Sequence, residues 1–369
     1  KLTDGYPCLT NLSASCSIPV SYTLSNVITG YTYNGSSQLP SAWTSTSIFG
    51  GSYNDWVLGT DYYIVSSGSD VTGFTNAGTY SSLTVNVTKS GFAETSSGST
   101  SGSFVISPKT VTLSGEKTYD GDNTLTGSEV TIATGIGSET LTYSSATAND
   151  TDVTTENKYI SAITLGDASD GSGGLASNYQ LPTLNVANAP VTINAKSLTI
   201  SGITASNKIY DGDTTSTIDV SSASYTGLVS GDSVSVAATG IFSDKNVGTG
   251  KTVTLVSSYS GDDSGNYSIT DQSSTTANIT AKSLGMTINK IYDATQSIEV
   301  EEISFTGVVS GDTTPTIQQS QIVGTTSQVN IGSFTDFTDT IVGGITLNNG
   351  SNYTLTGASI DGTVSARPG

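Results

Sequence analysis

The sequence predicts an all-β chain: four tandem small antiparallel β-sandwich domains, with β-grasp-like units as the alternative, set in an elongated rod. Three observations predict it. First, short runs alternate apolar and polar residues, as in Leu83-Thr84-Val85-Asn86-Val87, Val253-Thr254-Leu255 and Ile345-Thr346-Leu347. Alternation with β-branched residues marks strands buried on one face. Second, clusters of Gly, Asn, Asp and Ser separate these runs, as turns require, and no window carries apolar residues at helical spacing. Third, one motif returns. Lys117-Thr118-Tyr119-Asp120-Gly121, Lys208-Ile209-Tyr210-Asp211-Gly212 and Lys290-Ile291-Tyr292-Asp293-Ala294 follow a weaker copy, Tyr31-Thr32-Tyr33-Asn34-Gly35. The tyrosines at 33, 119, 210 and 292 are spaced by 86, 91 and 82 residues, the signature of an array of similar units.

Taken in order, residues 1–20 form a lead-in that holds both cysteines of the chain. Confined to one short segment, Cys8 and Cys16 predict a local disulfide and an oxidising compartment; a pair of buried free thiols is the alternative. The first repeat covers 21–107, the second 108–195, the third 196–281 and the fourth 282–369. The junction lysines 109, 196 and 282 are 87 and 86 residues apart. At each junction the apolar alternation slips by one residue: Val191 and Ile193 give way to Leu198 and Ile200, and Ala277 and Ile279 to Leu284 and Met286. A slip of one swaps the buried face, and no Gly/Ser-rich spacer intervenes, so the connections are expected to be stiff. Ala366-Arg367-Pro368-Gly369 reads as one more junction, as expected of a segment of a longer array.

Composition narrows the function classes. Hydrophobic residues make up 34% of the chain, so each core is expected to be thin. The net charge of −19 opposes binding to nucleic acid or to anionic lipid. No run of about 18 apolar residues predicts membrane insertion. The chain contains no histidine, which excludes Ser-His-Asp and Cys-His catalysis and zinc held by His and Cys. No enzyme activity and no cofactor are predicted.

Within the motif, Asp-Gly favours a tight turn. Tyrosine lies on a thin core with its hydroxyl reaching the edge. Tyr33, Tyr119, Tyr210 and Tyr292 are therefore expected as core residues, with the lysine two positions earlier on the same face. The alternative is a calcium site built on Asp120 and Asp122, or Asp211 and Asp213. Two further recurrences, Asn178-Tyr179, Asn266-Tyr267 and Asn352-Tyr353, and Ser230-Gly231-Asp232 with Ser310-Gly311-Asp312, read as a packing tyrosine beside a turn and as a turn.

The third repeat, through Lys208-Ile209-Tyr210-Asp211-Gly212, Gly227-Leu228-Val229-Ser230-Gly231-Asp232, Lys245-Asn246-Val247-Gly248-Thr249-Gly250-Lys251 and Asn266-Tyr267, resembles a YDG domain. The second and fourth repeats resemble it most at their ends. The fourth departs from the pattern at Ala294 and lacks the Lys-Asn-Val-Gly-Thr-Gly-Lys run. The first repeat resembles the related MBG domain, through Tyr33-Asn34-Gly35 and Thr75-Asn76-Ala77-Gly78-Thr79-Tyr80. Such domains occur in large bacterial surface exoproteins similar to filamentous haemagglutinin. The resemblance implies a stalk segment of a secreted adhesin or extracellular filament at the bacterial surface, whose partners are neighbouring repeats or subunits of the same protein. Two alternatives stand beside it. A module binding host or matrix glycans or a protein would use Tyr53, Trp56, Tyr62 and Tyr63, since exposed aromatics anchor interfaces. A strand-donating filament subunit would use an unpaired edge strand.

Overall fold

The structure, a computed structural model, describes residues 18–24, 27–49, 53, 55–94, 100–293, 303–317, 332–335, 352–355 and 360–367. The fold is all-β. Among the described residues the one α-helix is a single turn, Ser45–Phe49. Two compact units divide the chain, residues 1–194 and residues 195–369.

In the first unit a five-stranded sheet runs in the order Ile28–Thr32, Gly102–Ser107, Gly78–Val87, Tyr62–Ser66, Ser69–Val71. Beyond it, Thr112–Thr118 lies between Val130–Ala133 and Val191–Asn194, and a second three-stranded sheet joins Thr124–Leu125, Thr142–Ala148 and Ile160–Gly166. Strict alternation places Leu113, Gly115 and Lys117 inward from Thr112–Thr118 and every other residue outward, as a strand with one buried face must. Phe104, Ile64 and Leu83, and then Leu113, Leu125 and Ile160, fill the core.

In the second unit the order is Lys208–Ile209, Ser274–Thr280, Gly248–Ser260, Ser235–Phe242, Thr215–Ser216. A three-stranded sheet joins Ser224–Thr226, Lys196–Ser201 and Tyr267–Thr270, and a four-stranded one joins Ile303–Thr306, Gly285–Ile291, Ile360–Ser365 and Gly332–Thr335.

The sheets are mixed, not purely antiparallel as expected. The strand ahead of each motif tyrosine pairs in parallel with the last strand of the same repeat: Thr32 opposite Ser107, Thr118 opposite Asn194, Ile209 opposite Thr280, Ile291 opposite Ser365. Each motif tyrosine then donates its backbone N–H to the carbonyl of that partner, at 2.9, 2.8, 2.9 and 3.0 Å for Tyr33, Tyr119, Tyr210 and Tyr292. A parallel pair needs a long crossover, which the rest of the repeat supplies.

At the junction inside each unit the buried face changes parity. Ile106 is buried, and the next buried apolar residue is Val111; Ile279 is buried, and the next is Leu284. The strand beyond each junction begins at once, with Lys109 paired to Tyr179 and Lys282 to Tyr353. These registers set the Asn-Tyr pair of one repeat beside the end of the repeat before it.

Candidate functional site

The motif lysine is an internal cation. The alternation that buries Tyr119 also buries Lys117 two residues earlier. Its Nζ donates to Thr124 O at 2.8 Å and Asp122 O at 3.2 Å, and pairs with Asp120 Oδ1 at 2.7 Å. Lys208 repeats the pattern with Thr215 O at 3.0 Å, Asp213 Oδ1 at 2.9 Å and Asp211 Oδ1 at 2.7 Å. In the fourth copy Lys290 pairs with Asp293 Oδ2 at 3.1 Å. The carboxylates read from the sequence as a calcium alternative thus surround an ammonium that the motif itself supplies. Burial opposes the charge on Lys117, and the hydrogen bond and charge of Asp120 outweigh it, so its pKa is raised. The hydroxyl of Thr215 and the ammonium of Lys208 hold Asp213 down at about 2.

Tyr33 and Tyr210 each belong to a joint, one within each unit. In the first unit Tyr33 of the first repeat and Tyr179 of the second donate their hydroxyls to the two oxygens of Glu139, at 2.6 and 2.7 Å. Their rings meet edge to face, centroids 5.4 Å apart. Beside them Asn178, buried, accepts from Ala77 N–H at 2.8 Å and donates to Asn76 Oδ1 at 3.0 Å. In the second unit Tyr210 of the third repeat and Tyr353 of the fourth both donate to Asp312 Oδ2 at 2.6 Å, and their rings are again 5.4 Å apart. Asn352 accepts from Val247 N–H at 2.8 Å and donates to Asn246 Oδ1 at 3.0 Å. The second copy adds Lys245, 3.2 Å from Asp312 Oδ1.

The glycine of the motif completes the fit. Gly212 has φ +88°, and a Cβ there would fall 2.6 Å from Val309 Cγ1; at Gly35, φ +75°, it would fall 2.5 Å from Ile136 Cγ2. The residue three positions before the shared acid therefore seats against bare backbone. Glycine serves both the left-handed turn and the close approach.

Charge and burial reinforce the hydroxyl–carboxylate bonds. Burial first, and then Glu139, pushes Tyr33 up to about 12; Tyr179 is raised by the same two causes. Burial and Asp312 push Tyr353 up to about 12 and raise Tyr210, against a smaller opposing pull from Lys245. The hydroxyls of Tyr210 and Tyr353 hold Asp312 down at about 2. A hydrogen bond to a charged group contributes about 1.5–3 kcal/mol, and an aromatic pair about 0.5–1.5 kcal/mol beyond its area. Each joint is thus a small, fully bonded polar lock.

Of the four motif tyrosines, Tyr33, Tyr119 and Tyr210 are buried, and Tyr292 is 40% exposed. The core position expected of Tyr292 is not its position: its backbone is seated like the others, but its ring has no second repeat against it among the described residues. The four candidate ligand aromatics stay together in the first repeat. Trp56 and Tyr62 are buried, and Tyr53 and Tyr63 half-buried. Phe49 packs edge to face on Tyr62 at 5.0 Å, Tyr53 on Trp56 at 4.8 Å, and Lys89 sits over the Trp56 ring. The Tyr63 hydroxyl donates to Gly59 O at 2.5 Å. Cys8 and Cys16 lie outside the described residues. Sequence reasoning missed Glu139, Asp312, Asn178 and Asn352 as joint residues. The signal was present, since Asn-Tyr and Ser-Gly-Asp both recur, but each reads locally as a turn.

The lysine cage and glycine turn of the third repeat fall within one family match. Residues 194–277 match the YDG domain. The match takes in Lys208, Tyr210, Gly212 and the Asn266-Tyr267 pair. The comparison with curated proteins returns no match. Among solved structures, the crystal structure of Drosophila N-cadherin EC1-4 aligns over 95% of this chain and 100% of that chain, at 7% identity and a TM-score of 0.19. A likeness at that score carries no argument.

Proposed function

We propose that the chain is a structural stalk segment of a secreted bacterial surface adhesin or extracellular filament. In this reading four domains, at 21–107, 108–195, 196–281 and 282–369, follow the lead-in that carries Cys8 and Cys16. The observation that carries it is the joint. Two separate places in the chain bring the same five groups together, the tyrosine and glycine of one repeat and the acid, asparagine and tyrosine of the next. A binding module on a flexible string has no use for a bonded lock between domains. A stalk does, because rigid linkage converts domain count into reach. The YDG match at 194–277 agrees with the resemblance of the third repeat; kinship with surface exoproteins and extracellular location are parts of the same proposal.

Small-angle scattering on the full chain tests it. Four units of about 35–40 Å, from strands of about ten residues, give a maximum dimension of about 150 Å. The Glu139→Ala, Asp312→Ala double variant is expected to shorten the mean dimension and broaden its distribution. A native particle far shorter than this, or a variant with an unaltered profile, would refute the stalk reading.

A further inference from the structure

We propose that the face around Tyr292 is a docking site for a further β domain of this kind, one presenting an acidic turn beside an Asn-Tyr pair. The inference deepens the stalk reading and depends on it. Three observations place a vacant half of the joint there. Tyr292 is seated as its counterparts are, with Ile291 paired to Ser365 and its own N–H bonded to Ser365 O at 3.0 Å. The strand beside it keeps the register of the filled joints: Gly332 lies opposite Val364, as Gly78 lies opposite Ile106 and Gly248 opposite Ile279. In sequence Asn330-Ile331 precede Gly332 as Asn76-Ala77 and Asn246-Val247 precede the other two. Exposure then separates the copies. Tyr33 and Tyr210, covered by the next repeat, are 4% and 1% exposed; Tyr292 is 40% exposed.

The chemistry of the face selects its occupant. A phenol hydroxyl on a half-apolar surface takes a carboxylate acceptor, which both filled joints supply from the incoming domain. The lysine of the motif is already matched by Asp293, so it does not compete for that acid.

The test extends the chain after Ala366 with a second copy of residues 282–367 carrying Tyr292→Phe, or of residues 196–281 carrying Tyr210→Phe, so that the native tyrosines are read without a duplicate peptide. Nitration by tetranitromethane, mapped by mass spectrometry, reads Tyr292. At least one extension is expected to slow nitration of Tyr292 about tenfold or more, the factor that about 1.4 kcal/mol of docking gives. Asp312→Ala or Asp232→Ala in that added copy is expected to restore the rate. Tyr292 nitrated at the unextended rate in both extended chains would overturn the inference. Tyr210 of the native chain is the internal reference. Rapid nitration of Tyr210 would instead refute the joint, and with it the stalk reading.

Discussion

At the scale of single residues, the lysine of the motif stands among the carboxylates that the calcium alternative would have given to a metal ion. Lys117 lies fully inside its oxygen cage, with a side chain 1% exposed, whereas that of Lys208 is 16% exposed. Lys117→Met keeps the stem and removes the charge, leaving Asp120, Asp122 O and Thr124 O without their donor. An unsatisfied buried polar group costs about 1–3 kcal/mol, so Lys117→Met is expected to lower stability by about 2–3 kcal/mol and Lys208→Met by less. Chemical denaturation of the two variants checks the order. The joint tyrosines carry a pH prediction. Tyr33 and Tyr353, at about 12, are raised above the ordinary value of about 10. Their contribution is therefore complete below about pH 10 and lost as pH rises through 12. Asp312, at about 2, is depressed below the usual 3.9 or so. Its contribution is complete above that value and lost as pH falls through 2. Melting temperature against pH is expected to be flat between these limits and to fall outside them, and Tyr210→Phe with Tyr353→Phe is expected to remove the alkaline limb contributed by that joint.

At the scale of elements, the parallel pairing of the strand ahead of the motif tyrosine with the last strand is the common feature of all four repeats. It brings the chain in at one end of a repeat and out at the other, so the exit strand can feed the next repeat directly. The motif turn sits where those strands end, which is why its tyrosine and glycine face the neighbour. Glycine at this turn answers two demands that can be measured apart. Gly212 and Gly231 both have positive φ, +88° and +101°, but a Cβ at Gly212 would crowd Val309 while one at Gly231 meets nothing within 4 Å. Alanine in the left-handed region costs about 1–3 kcal/mol. Gly231→Ala is expected to show that strain alone, and Gly212→Ala to show it together with the crowding. Adding Val309→Ala to Gly212→Ala is expected to recover the difference, as read from denaturation midpoints.

At the scale of the molecule, the function proposed depends on each junction having no slack. Lys109 and Lys282 enter their strands within three residues of the preceding repeat's last strand. Lengthening one junction with four glycines after Ala281 is expected to raise the exposure of Tyr210 and to release the Asp312 bonds, because chain connection no longer holds the two halves in register. Faster nitration of Tyr210 in the lengthened chain, with Tyr33 unchanged, is the expected result. Unaltered protection would mean that the joint's own bonds suffice without the short connection.

The amino-acid sequence by itself determined the all-β class, the repeat and its period, and the parity change at the junctions. All three are local: they depend on period-two burial, on turn chemistry and on the spacing of one motif. Burial of Tyr33, Tyr119 and Tyr210 also follows from a large ring on a thin core. Tertiary structure decided the rest. Glu139 lies 106 residues from Tyr33, and Asp312 lies 102 from Tyr210, so no local pattern links acid to phenol. The same distance hid the difference between Tyr210 and Tyr292. Their sequence neighbourhoods are alike, but Asp312 and Tyr353 of the following repeat cover the Tyr210 ring, and among the described residues none covers Tyr292 in that way. The mixed pairing of the sheets was equally illegible, because strand direction depends on which distant strand a segment meets and not on the residues within it.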